Sequence, residues 1–243
     1  ASCRALAAAG MDIAGVHLDT KATLPRAQAV MDDVQARGQR ALFFNVNAAD
    51  ECKRLKVLDE LKRETGPGSV KLVLHSLAFG SLLPLVASGP EGSLSKAQME
   101  MTLDVMAHSL VYWVQDLVWR DLPAADARIY AMTSAGSHRA FPSYAAVGAA
   151  KAALESHVRY LALELAARDI KCNAIQAGIT DTPALRQIPG HEAAMRLAVK
   201  RHPFGRMTEP EDVANALVAL AAPGCAWMTG QVIRVDGGED VIA

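Results

Sequence analysis

Three side chains able to do chemistry together, Ser134, Tyr144 and Lys151, fall within ARIYAMTSAGSHRAFPSYAAVGAAKAALESHVRYLALEL, Ala127 to Leu165. Tyr144 and Lys151 are seven residues apart. On a helix that puts them on one face, about 10 Å apart along the axis. Helical side chains lean towards the N-terminus, so the ammonium points towards the phenol and both reach a ligand between them. A neighbouring cation favours phenolate over phenol, and the spacing therefore predicts a tyrosine made more acidic. The plainer alternative is a packed ring beside a solvated amine, and the surrounding residues decide against it.

The elements that must position these groups alternate. An apolar strand at 128–133 ends in the polar turn Thr133-Ser134-Ala135-Gly136, a loop closed by Pro142 follows, and Tyr144 opens a helix read over 144–168. Upstream the pattern predicts helix 2–9, strand 12–18, helix 24–37, strand 41–46, helix 50–64, strand 71–75 and helix 95–121. Downstream come strand 171–177, helices within 183–222 and strand 231–235. Helices alternating with nearly continuous apolar strands predict one parallel sheet covered on both faces, a doubly wound Rossmann-type α/β fold, with residues 1–243 as one domain. In such a fold a central strand and a glycine-rich, phosphate-holding turn precede a helix like 2–9. Neither is in the sequence, so the phosphate-loop residues cannot be named, and two neighbouring strands are expected to lack partners. A chain beginning at Ala1 is accordingly expected not to fold as a soluble dinucleotide binder.

Composition bounds the function. A formal net charge of −1 offers no electrostatic footprint for nucleic acid or an anionic membrane. No apolar run approaches the roughly 20 residues of a membrane span, and the Ala-rich opening is too short and weakly apolar for a signal peptide. Cys3, Cys52, Cys172 and Cys225 have no metal-ligand spacing and read as reduced thiols of a cytoplasmic protein, with no metal expected. Leu154, Val158, Leu161 and Leu165 form one helical stripe, whereas Leu110, Val111, Trp113, Val114, Leu117 and Val118 are apolar around more than one face. The excess implies burial against a second subunit.

Tyr144-x6-Lys151 with Ser134 ahead of the loop and Gly148-Ala149-Ala150 between resembles the short-chain dehydrogenase/reductase superfamily, in its enoyl-acyl-carrier-protein reductase branch. Ordinary members space the pair as Y-x3-K, which would put the tyrosine at Val147; the wider spacing marks the branch. Val73-Leu74-His75-Ser76-Leu77-Ala78-Phe79-Gly80 is similar to the branch's V-H-S-I-A-F segment, and the resemblance implies that Ser76, Leu77 and Ala78 line the cofactor while Phe79, Gly80 and Val147 edge the acyl pocket. His75 is otherwise a satisfied core histidine. Met106 stands where ordinary members carry a proton-relay asparagine, which counts against a standard carbonyl reductase. Asp104 to Leu110, Phe204 to Val213 and Thr229 to Gly238 continue the likeness, so that it covers nearly the whole chain.

The resemblance also implies a nicotinamide dinucleotide. Asp19, at a strand end, would bind the adenosine ribose hydroxyls and repel a 2′-phosphate, favouring NAD(H); Lys21 and Arg26 follow closely and keep NADP(H) open. As the plainer alternative Asp19 caps the next helix. Asn45 and Val46 stand where the family carries Asp-Val against the adenine. Met132, Thr133 and Ala177 would lie along the nucleotide, Lys151 would hold the nicotinamide ribose, a backbone group near Thr180 would hold the carboxamide with Gly178 allowing the close approach, and the Thr182 hydroxyl would sit by the pyrophosphate. Residues 183–206 form a substrate flap.

These expectations describe an NAD(P)H-dependent enoyl thioester reductase with catalytic Tyr144, Lys151 and Ser134, a homotetramer whose substrate rides on an acyl carrier protein or coenzyme A. Many enoyl reductases carry a second tyrosine ten residues before the reactive one, where Ser134 stands. Ser134 also falls where carbonyl-reducing members keep their serine, so a carbonyl reductase or alcohol dehydrogenase is the rival. A non-catalytic dinucleotide-binding subunit is the third reading.

Overall fold

A computed structural model describes residues 1–242. In chain order the elements are α1 (Ser2–Ala8), β1 (Ile13–His17), α2 (Leu24–Ala36), β2 (Ala41–Asn45), α3 (Glu51–Thr65), β3 (Val70–His75), α4 (Lys96–Leu103), α5 (Ser109–Trp119), β4 (Pro123–Thr133), α6 (Ala145–Glu164), β5 (Lys171–Ala177), α7 (His191–Arg201), α8 (Pro210–Leu220) and β6 (Val232–Val235). Every paired strand is parallel. The helix starts follow from capping chemistry: the Asp50 side chain accepts from Lys53 N–H, and Ser95 and Gln98 satisfy each other's backbone donors at the head of α4.

The single sheet expected is corrected to two: β1 pairs with β2, and β3-β4-β5-β6 form the second. The break falls between β1 and β3, the neighbours expected to lack a partner. They are joined by packing instead, since Leu72 of β3 and Val218 of α8 lie against the buried cluster Leu6, Ala7, Ile13 and Val34. Helix 95–121 is also refined. The run is helical throughout, but Asp104–His108 is a π turn between α4 and α5, where Ser109 Oγ donates to Val105 O at 2.7 Å.

Alternation along β4 divides the core between two faces. Ile129 and Ala131 face the side covered by Leu154, Val158 and Leu161 of α6 and by Leu110 and Val114 of α5. Tyr130 faces the other side, under Val213, Leu217 and Leu220 of α8. Burying apolar side chains on both faces fixes the strands' register and hence the height at which each strand ends. Those ends are where the polar residues singled out above emerge.

Candidate active site

Asp19 and Asn45 follow or end β1 and β2, Ser76 follows β3, Met132 to Ser134 end β4, and Ala177 and Gly178 end β5. In open parallel sheets ligands bind beyond the carboxyl ends of the strands. The backbone delivers Tyr144 by a constrained route: Ser143 adopts a left-handed conformation (φ 60°), and Tyr144 is the N-cap of α6 rather than its first residue. The Tyr144 hydroxyl donates to Ser134 Oγ over a long 3.5 Å, and Phe141 meets its ring edge-on at 6.1 Å. Two glycines permit this packing. A Cβ on Gly136 would lie 2.5 Å from the Tyr144 ring, and one on Gly148 would lie 2.7 Å from the Gly136 carbonyl oxygen.

Lys151, only 5% exposed, donates from Nζ to Met132 O at 2.7 Å. Burial brings its pKa down to about 8, against the pull of Glu155 one helical turn on. Thr133 Oγ1 in turn donates to Glu155 Oε1 at 2.7 Å. Burial pushes the Tyr144 phenol above its ordinary value, with the Ser134 hydrogen bond only partly offsetting it. The expected acidification of Tyr144 by Lys151 is thereby corrected: the ammonium is turned onto the Met132 carbonyl, and desolvation dominates the phenol. Tyr144 remains protonated at neutral pH, the form that donates a hydrogen bond.

His75 is buried and accounts for one ring nitrogen: Ser109 uses its proton on Val105 O, so His75 Nε2 donates to Ser109 Oγ at 2.8 Å. Its Nδ1 has no protein partner. Burial first, then the Lys151 charge, drive its pKa down to about 3, and it stays neutral. Gly80 and Val147 lie side by side, since a Cβ on Gly80 would lie 3.1 Å from Val147 Cγ2 and from Met106 Sδ. Phe79 does not join them; it is 67% exposed, as are its loop neighbours Leu85 and Val86 to similar or greater degree.

Asp19 and Asn45 form a second group. Asp19 N–H donates to Asn45 Oδ1 (2.8 Å) and Asn45 Nδ2 to Asp19 O (3.0 Å), while Val46 N–H donates to His17 O. Hydrogen bonds from Thr23 and then His17 hold the Asp19 carboxyl below its ordinary range, so it is anionic. Among the described residues no hydrogen bond links this pair to Tyr144, Lys151 or Ser134. Beyond β5, Thr180 Oγ1 donates to Gly178 O, and Thr182 Oγ1 accepts from Leu185 N–H, which caps the short turn Leu185–Gln187. Glu155 escaped the sequence reading, although it lies four residues past Lys151 on one helix face, a spacing that brings side chains together, and Gly136 enters that reading only as part of a turn.

The residues fit a nicotinamide dinucleotide. Lys151 spends one of its three donor hydrogens on Met132, which leaves two donors of the kind a sugar hydroxyl accepts, and Asp19 is an ionised acceptor just past a strand end. A family model described as Enoyl-(Acyl carrier protein) reductase matches residues 1–239. The chain belongs to that family. The enoyl-(acyl-carrier-protein) reductase (NADH) of Aquifex aeolicus (strain VF5) is 31% identical over 201 residues, 82% of this chain and 71% of that protein. A 1-cyclohexenylcarbonyl-CoA reductase of Streptomyces collinus is 38% identical over 118 residues, 48% of this chain and 42% of that protein. The crystal structure of the Bacillus cereus enoyl-acyl carrier protein reductase with NADP+ and indole naphthyridinone superposes with a TM-score of 0.87 at 24% identity, over 100% of this chain and 91% of that one. That likeness establishes the fold alone. Family membership makes the chain an NAD(P)H-dependent oxidoreductase acting on enoyl groups. Among the described residues no helix is long and apolar enough to cross a membrane.

Proposed function

We propose that this family member reduces the carbon–carbon double bond of an enoyl thioester with Tyr144, Lys151 and Ser134 as its catalytic residues. Reduced nicotinamide, when bound, supplies the hydride. Negative charge then builds on the thioester oxygen, and the Tyr144 hydroxyl, which burial makes a still weaker acid and which keeps its proton, donates a hydrogen bond to that oxygen as the charge develops. The phenol has one hydrogen, so as it turns from Ser134 to the substrate the Ser134 hydroxyl, 3.5 Å away, donates to the phenol oxygen in return. Lys151 holds the nicotinamide ribose hydroxyls with its two remaining donors and fixes the nucleotide relative to Tyr144. Gly80 and Val147 border the acyl chain. Met132, Thr133, Ser76, Leu77, Ala78, Ala177, Gly178, Thr180 and Thr182 line the nucleotide, with Asp19, Asn45 and Val46 at its adenosine end.

The observation carrying this reading is the protonated Tyr144 phenol facing a hydroxyl, with a buried lysine seven residues on. Asp19 favours NADH, because an anion there repels a 2′-phosphate. We also assign residues 183–206 to a substrate flap. The exposed Trp119, Tyr160 and Leu163 on α5 and α6 support assembly with further copies of the chain, and a cytoplasmic site of action follows from the same reading.

The test is oxidation of NADH and NADPH with a trans-2-enoyl thioester, on acyl carrier protein and on coenzyme A, set against a 3-ketoacyl thioester and simple ketones. Enoyl turnover with NADH preferred is expected. In Tyr144→Phe, kcat should fall about 10²–10³-fold, the loss typical of one oxyanion donor, with NADH affinity unchanged. Turnover confined to ketones would replace this reading with the carbonyl reductase, and full activity in Tyr144→Phe would remove the tyrosine from the chemistry.

A further inference from the structure

The last turn of the described chain touches both the loop that leads from Ser134 to Tyr144 and the segment that follows β5. Gly237 and Gly238 are left-handed (φ 58° and 84°), and Asp236, buried, accepts from Gly238 N–H at 2.9 Å and Asp240 N–H at 3.1 Å. These contacts set up a short 3-10 turn, Glu239–Val241, in which successive side chains diverge by about 120°. Two adjacent carboxylates therefore reach different loops.

Glu239 goes to the segment after β5. Its Oε2 accepts from Ile179 N–H at 2.8 Å and occupies the space beside Gly178, where a Cβ would lie 2.7 Å from it. Asp240 goes to the loop between Ser134 and Tyr144. Its side chain is 4% exposed; the carboxylate hydrogen-bonds His138 Nε2 at 2.9 Å and lies in ion-pair contact with Arg139 Nε at 2.8 Å and Arg234 Nη2 at 3.1 Å, while Arg139 Nη2 donates to the Asp240 carbonyl at 2.7 Å. Although burial opposes it, hydrogen bonds from Gln176 and His138 and the facing charges hold the Asp240 carboxyl below its ordinary range. His138 and Arg139 directly follow the turn Ala135–Ser137, whose Gly136 has no room between the Tyr144 ring at 2.5 Å and Ser134 Oγ at 3.2 Å from its would-be Cβ. The turn therefore lies directly beside the phenol ring and the Ser134 hydroxyl.

We propose that Glu239 and Asp240 form a two-sided clamp that sets the separation of these loops, with Asp240 positioning Tyr144 and Ser134 and Glu239 positioning the segment Ala177 to Thr182. The assignment of acceptor and nucleotide sides rests on the proposed function; the clamp itself does not.

Hydrogen exchange and trypsin digestion of the full chain test it, using Asp240→Asn and Glu239→Gln. In Asp240→Asn, exchange should quicken over residues 135–143 and cleavage after Arg139 should accelerate, with protection of residues 178–182 retained. Its kcat on the enoyl thioester should fall about 10–100-fold, the cost of misplacing a reacting group by about 1 Å, while NADH affinity by fluorescence titration is unchanged. Glu239→Gln should do the reverse, loosening residues 178–182 and weakening NADH about tenfold, as expected when a charged hydrogen-bond acceptor becomes a neutral one, with Arg139 still resistant. Asp240→Glu, which keeps the charge, should restore resistance at Arg139. Identical loosening of both segments in both variants, or no change in either, would overturn the clamp. A wild-type protein inactive on enoyl thioesters would overturn the proposed function and leave the exchange and cleavage patterns to stand or fall alone.

Discussion

Replacing Glu155 with glutamine removes the anion that keeps Lys151 charged against burial. The side chain still accepts the Thr133 hydroxyl through its amide oxygen, so the end of β4 keeps its geometry. Burial has already brought Lys151 to about 8, with Glu155 pulling the other way. An opposite charge one helical turn away moves a pKa by about 1–3 units, and the smallest of these is about 1.4 kcal/mol. Because the free enzyme's pKa governs kcat/KM, the alkaline limb of log(kcat/KM) for NADH should sit near pH 8 in the wild-type protein. In Glu155→Gln it should move down by roughly one pH unit or more. At pH 8 the charged fraction of Lys151 then falls from about one half to about one tenth, a fivefold loss that vanishes near pH 6. The sign follows from chemistry: the active form carries the ammonium, and a lowered pKa discharges it earlier as pH rises. Initial rates of NADH oxidation with a trans-2-enoyl thioester from about pH 6 to 9.5 measure the limb. A limb that stays at its wild-type position, or a rate lowered equally at every pH, would refute the coupling of Glu155 to Lys151.

Two further outcomes are expected. Gly136→Ala places a methyl group 2.5 Å from the Tyr144 ring, so the ring must shift by about 1 Å and kcat should drop about 10²-fold with NADH affinity intact; stopped-flow turnover and fluorescence titration separate the two. Asp116 pairs with Arg54 at 2.6 Å where α5 meets α3, both side chains 8% exposed, and Asp116→Ala leaves that guanidinium buried without its anion. Such losses cost about 3–5 kcal/mol, read as a drop in Tm of roughly 10 °C by calorimetry, whereas a change under about 2 °C would mean that the pair contributes little.

Much of the site follows from local pattern. Lys151 lies within α6 and Tyr144 at its N-cap, close to where the helical pattern reads them, and β5 spans Lys171–Ala177 as its apolar run predicts. Met132 and Thr133 emerge at a strand end because register is set by which side chains must be buried. The segment 95–121 reads as one helix from periodicity, while its π turn depends on Ser109 bonding back to Val105 and receiving His75 from β3, a contact between elements.

What only the tertiary structure decides is how charge and space are shared among residues far apart in the chain. Tyr144 looks acidified from its spacing to Lys151, but depth of burial and the turn of Nζ onto Met132 make it a stronger holder of its proton. Phe79 looks like a pocket wall from its motif, yet it stands 67% exposed. Asp240 sits about a hundred residues from His138 and Arg139, and no periodicity records that pairing. Pattern determines secondary structure and the identity of the reactive groups, because both depend on neighbours along the chain. Desolvation and long-range ion pairing depend on neighbours in space, and these set which proton is held and where the phenol stands.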